Sequence, residues 1–150
     1  MVSAGSILTD VLFFLKDQIS GNVPDPITRP SNEKFIMTSY PQRPVTYPII
    51  TIKDNGINAT NRLGMQSESI LVNIPMEIRI WGRNVVERDK LFDRTFEFLR
   101  TNQFPNTTSG TSSYADIHDF KLNNVINVDE IGENAIKSKI INFSYIFVVN

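Results

Sequence analysis

Residues 70–99 read ILVNIPMEIRIWGRNVVERDKLFDRTFEFL, a strand pattern that becomes a helix pattern across Gly82 and Arg83. In the first half, Ile70, Val72, Ile74, Met76, Ile78 and Ile80 alternate with Leu71, Asn73, Pro75, Glu77, Arg79 and Trp81. That period of two places one apolar row on one face of a strand and a mixed row on the other. Pro75 has no N–H to donate and marks a bulge or an edge. In the second half, Asn84 is placed to cap a helix, with Glu87 three residues later in a capping-box-like position. Val85, Arg88, Leu91, Phe92, Thr95, Phe96 and Leu99 then share one face, opposite a mostly charged one.

Upstream, the spacing of Ile7, Leu8, Val11, Leu12, Phe14, Leu15 and Ile19 predicts a helix over 6–20, capped by Ser6 and closed by Gly21-Asn22. Its wide apolar arc suits a helix covered on more than one side. Residues 22–48 hold six of the eight prolines and read as an irregular arm with one strand at 34–39. A second strand follows at 47–53, where Pro48 suggests an edge or a strand start. Asp54-Asn55-Gly56 is a turn signal, and the polar residues 55–68 read as a loop or the tip of a long hairpin.

Downstream, 102–115 is a polar loop, and 116–127 and 137–149 read as strands joined across Asp129-Glu130 and Gly132-Glu133. The last strand carries large apolar side chains on both faces, so it should be central or covered by another subunit. The expectation is one α+β domain spanning 1–150, with a mainly antiparallel or mixed sheet and two helices on one face.

Chemistry leaves few footholds. The chain has no cysteine, which excludes disulfides and thiol catalysis, and a net charge of −1, which excludes nucleic-acid binding through bulk positive charge. No apolar run approaches the length of a membrane span. The single histidine, His118, sits between Asp116 and Asp119; Asp116 and His118 on one strand face would make an acid–base dyad or two metal ligands. Zinc wants three protein ligands, and no second histidine exists. The glycines form no phosphate-cradling loop. No metal, cofactor or catalytic residue is therefore assigned. Arg29, Arg43, Arg62, Arg79, Arg83 and Arg88 are either solvated charges or bidentate partners between subunits, and Trp81 is either a lid over the core or an interface anchor.

The order of elements resembles a known family. A short helix (SILTDVLFFLKDQI) leads to the Pro-rich YPQRPVTYPIITI, then to the strand IPMEIRIWG, to a helix containing R-D-x-L-x-D, and to a closing strand. This layout is similar to the tail terminator, or tail completion, proteins of long-tailed bacteriophages, archaeal viruses and related contractile injection machines. The resemblance covers the whole chain in element order. It implies a virion protein of the tail neck, assembled in the host cytoplasm as a ring, commonly a homo-hexamer. The ring would cap the tail tube, stop its elongation and meet the head connector or neck protein, while double-stranded DNA passes through the lumen without sequence-specific contacts. Trp81, Arg83, Arg88, Asp89 and Phe92 match the family's inter-subunit helix and strand edge. Asn55, Asn58, Asn61 and Arg62 match the loop that reaches toward tube or lumen. The long arm at 22–48 and the loop at 102–115 depart from the shortest family members. Two other readings stand beside this one: another neck or tail-tube subunit, and a small enzyme or ligand-binding domain built around Asp116, His118 and Asp119.

Overall fold

The computed structural model describes residues 7–40, 45–56, 58–62, 70–101, 117–129 and 136–149. The elements are α1 (Ile7–Asn22), β1 (Ile36–Met37), β2 (Ile49–Asp54), β3 (Asn58–Arg62), β4 (Ile70–Gly82), α2 (Val85–Thr101), β5 (Ile117–Asp129) and β6 (Lys137–Val149). The strands form one mixed sheet in the order β1-β2-β4-β6-β5, with β3 also paired to β4. β1 runs parallel to β2; every other pairing is antiparallel. Both helices pack on one face, α1 over β1 and β2, α2 over β4 and β6.

The alternating row of β4 decides which face the helices take. Val72, Ile74, Met76, Ile78 and Ile80 are buried against Leu15 and Ile19 of α1 and Leu91, Phe98 and Leu99 of α2. β2 adds Ile50 and Ile52, and β6 adds Ile141, Phe143 and Tyr145. Each such side chain removed from water contributes about 1.5–3 kcal/mol. β6 is central, flanked by β4 and β5, as its two apolar faces predict. On α2, Phe98 joins the buried stripe, two turns beyond Leu91, whereas Val85 in the first turn is 45% exposed. The expected helix face is thus displaced at both ends.

Pro75 accounts for a break in the neighbouring strand. The Asn55 N–H donates to the Pro75 carbonyl at 2.8 Å. In an antiparallel ladder the N–H and C=O of a residue point to the same side, so the N–H that proline lacks would also have faced Asn55. There the partner strand interrupts itself. Gly56 adopts φ +97° and gives its N–H to the Asp54 carboxylate at 3.2 Å. Pairing to β4 resumes at Asn58↔Asn73 and continues to Arg62↔Ile70, with a bulge between Ala59 and Asn61.

Three expectations are corrected here. Asp54-Asn55-Gly56 does not reverse the chain, because β2 and β3 run in the same direction beside β4. Asn58, Asn61 and Arg62 lie in β3, which pairs antiparallel with β4, so of the two readings of 55–68 the long hairpin holds for these residues and the loop does not; residues 63–68 lie outside the described residues, as does all of 102–115. The strand expected at 34–39 shortens to Ile36–Met37.

The Pro-rich arm is held by one cation. Arg29 donates to the carbonyls of Thr46 and Pro48 and pairs with Asp25 at 2.6 Å, while its guanidinium lies 5.3 Å from the Phe35 ring centroid. Its side chain is only 5% exposed, so this arginine ties the two ends of the arm together inside the chain. On the far side of the sheet, Tyr40 packs on Trp81 with ring centroids 4.9 Å apart, and the Tyr40 and Tyr47 hydroxyls share a hydrogen bond.

α2 leaves β4 through a tight joint. A Cβ added at Gly82 would stand 2.8 Å from the Arg88 backbone nitrogen, too close for any side chain without backbone movement. Gly82→Ala is therefore expected to destabilise the fold by about 1–3 kcal/mol, read as a lower urea midpoint with an unchanged slope. Arg29→Ala is expected to cost about 2–3 kcal/mol by stranding the arm carbonyls, measured in the same way.

Candidate functional site

α2 begins one residue after its cap. Asn84 Oδ1 accepts the Glu87 N–H at 2.9 Å, and the Glu87 carboxylate reaches back to the Arg83 N–H at 3.1 Å, one residue upstream of the cap. The same carboxylate binds the Arg83 guanidinium in a bidentate pair with a 2.8 Å shortest contact. Burial opposes ionisation of Glu87, but the Arg83 hydrogen bonds and charge outweigh it, so its pKa lies below the ordinary carboxylate range.

One turn on, three of the sequence-predicted residues meet. Arg88 is 4% exposed and binds Asp89 at 2.9 Å. Asp89 also accepts from Lys139 of β6 at 3.0 Å. The Lys139 ammonium sits 4.3 Å from the Phe92 ring centroid, and Phe92 stacks on Phe96 at 5.4 Å. Burial places Arg88 inside the chain, so Asp89 and Phe92 are the members of this cluster that reach the surface. The Arg88 hydrogen bond is the largest cause holding the Asp89 pKa down; burial opposes it, and Lys139 adds to the lowering. Lys139 was visible in sequence only as a cation in an otherwise apolar strand row.

Trp81 and Arg83 do not join this cluster. Trp81 lies on the opposite face of the sheet, where its Nε1 donates to Thr51 Oγ1 at 3.0 Å and the Arg79 guanidinium stands 5.0 Å from its ring. Thr51, Lys53, Glu77 and Arg79 line a shallow hollow of ≈ 270 Å³ beside it. Arg83 is exposed and engaged with Glu87. Asn55 is exposed in the break between β2 and β3, and Asn58, Asn61 and Arg62 lie toward the opposite end of β4 from Trp81. His118 falls in β5 opposite Ile146, and Asp116 lies outside the described residues. Among the described residues, no group of three His, Cys, Asp or Glu side chains is placed to hold a metal ion, and no helix is long and apolar enough to cross a membrane.

Two surface features lack an intrachain role. β5 is an edge strand paired only to β6 among the described residues, and Val125 and Ile126 on its two faces are 42% and 43% exposed. An edge of this kind is a template for association. The second feature is a cleft of ≈ 320 Å³ between α2 and the arm, with Pro26, Ile27, Pro48 and Leu91 beneath and Lys90 and Arg94 on its rim. Val86, 62% exposed, stands at its lip. Sequence reasoning placed Lys90 and Arg94 on the charged side of α2, but nothing in the sequence brought Pro26, Ile27 and Pro48 next to them. No protein-family model matches the chain, and a search of curated proteins finds no significant relative.

The sign of the pH effect follows from Asp89. Its pKa is lowered on folding, so its contribution is present above the ordinary carboxylate range and is lost as pH falls through the depressed folded value. Asp89→Asn is expected to reduce stability at neutral pH and to flatten the acid limb of a stability–pH curve, measured by urea unfolding at a series of pH values.

Proposed function

We propose that this protein is a structural subunit that closes into a ring with copies of itself, capping a viral tail tube and joining it to the head connector. The observation that carries the reading is the uncovered β5 flank. A 13-residue strand with apolar side chains exposed on both faces forms one border of the sheet. Apolar side chains left exposed on such an edge are what a monomer hides by assembling. Further support comes from the order of helix, arm, long strand, helix and closing strand pair, which is the order of the terminator family. In this reading no covalent chemistry is needed. A bound ring hides the tube edge on which the next tube subunit would add, and DNA slides through a lumen that is not strongly basic.

The test is the mass of the purified protein across a concentration series, with the particles imaged by negative-stain electron microscopy. A closed ring with a central hole, near six subunits, is the expected result. A monomer at every concentration overturns ring closure by the free protein. In the same assay, Val125→Lys with Ile126→Lys is expected to shift the population toward monomer, with an unchanged circular dichroism spectrum because both positions are already exposed.

A further inference from the structure

A ring requires two different patches on each subunit, one to give and one to receive. The cleft between α2 and the arm has the features of a receiving patch. Its apolar lining comes from Pro26, Ile27, Pro48 and Leu91, of which Pro48 and Leu91 are buried. It is held open from within, because Arg29 clamps the Pro48 carbonyl and the arm behind it. Its rim carries Lys90 and Arg94, one helical turn apart, both exposed. The other arginines of α2 are engaged, Arg88 with Asp89 and Arg100 with Glu97, and Arg83 just before the helix holds Glu87. Among the described residues Lys90 and Arg94 have no acidic partner. Glu87 also borders the cleft, but its charge is met by Arg83. What remains is a partly apolar slot beside two cations with no acidic partner among the described residues, which fits a short segment with an apolar residue between carboxylates.

The chain itself contains such a segment. Residues 129–133 read DEIGE, three carboxylates in five residues around Ile131, the densest acidic run in the sequence. The sheet order sets where this segment leaves the fold. Asp129 pairs with Lys137, and Lys137 lies opposite Gly82 on β4, so these two residues, which bracket the segment, stand on the β5–β6 flank at the Gly82 end of the sheet. The cleft lies at the same end, because Pro48 precedes Ile49, which pairs with Trp81. It occupies the other flank, beside β2. Asp129 and Lys137 are thus at the level of the cleft on the opposite side of the subunit, a placement that suits a repeated head-to-tail contact closing into a ring. The exposed Val125 and Ile126 run directly into the donor segment and extend its patch.

We propose that the cleft between α2 and the Pro-rich arm receives the acidic 129–133 segment of a second copy of this chain, Ile131 meeting the apolar lining between Lys90 and Arg94. The inference rests on the ring reading and names its joint. Opposite charges at the joint set partner choice and register, and like charges there oppose assembly.

The experiment is a charge swap read by mass in solution. Lys90→Glu with Arg94→Glu, and separately Glu130→Lys with Glu133→Lys, are each expected to raise the half-assembly concentration on the order of 100-fold. An equimolar mixture of the two variants restores assembly, because each then offers the other a complementary patch. All four substitutions in one chain restore it as well. Unchanged circular dichroism spectra establish that the variants fold. Rings from the wild-type chain that persist in both variants overturn this joint and leave the ring reading standing. A wild-type chain that stays monomeric at every concentration overturns both. Variants that assemble normally but lose thermal stability assign the cleft to the chain's own 129–133 segment and overturn the proposal.

Discussion

Strand β4 has to meet two demands along the same 13 residues. Its apolar row needs cover from water, and its backbone needs hydrogen-bond partners on both sides, since a buried N–H or C=O without one costs as much as a lost bond. The two helices meet the first demand by lying over Val72, Ile74, Met76, Ile78 and Ile80. The second is met by β6 along one whole side and by β2 and β3 in succession along the other. Pro75 is the position where the second demand lapses, and the partner strand gives way opposite it, at Asn55 and Gly56. The remaining elements take their places around these pairings.

The polar groups in and around the helix layer follow a consistent division. Cations that the fold buries are answered inside the chain: Arg88 by Asp89, and Arg29 by Asp25 and two arm carbonyls. Lys139, partly covered by α2, is answered by Asp89 and by the face of Phe92. Buried charges that lost these partners would be strongly destabilising, so this set holds the seam between α2 and β6 and the path of the arm. Surface pairs such as Arg100 with Glu97 are worth little by themselves. Lys90 and Arg94 belong to neither group. They border the cleft between the helix and the arm, and among the described residues neither has an acidic partner.

The burial of Arg88 bears on how an assembly surface is read from sequence. An arginine in a helix next to an aspartate looks the same whether the pair faces a neighbour or the chain's own sheet. Here the close approach of Gly82 to the Arg88 backbone presses this part of α2 onto the end of β4, and the side chain is covered. The exposed surface belongs to residues nearby. Asp89 and Phe92 stay partly exposed, and β5 presents Val125 and Ile126 on its two faces because among the described residues no further strand or helix covers that border. Opposite it, the cleft gathers residues from the arm and the helix that are 36 or more positions apart in the chain.

By itself the sequence determined the local elements and the direction of their apolar faces. The period-two row of β4, the capping residues Asn84 and Glu87 and the two-faced apolar pattern of β6 are local signals, and backbone geometry converts each directly into a strand, a helix start and a central position. Tertiary structure decided whatever depended on distant partners. Asp54-Asn55-Gly56 carries a turn signal, yet it became a break within a continuous direction of chain, because the missing N–H that shaped it belongs to Pro75 on another strand. Arg29 and Arg88 became internal ties, and Lys90 and Arg94 the rim of a cleft, because the fate of a charge is set by what is packed against it, and neighbours in space are not written in the spacing of residues along the chain.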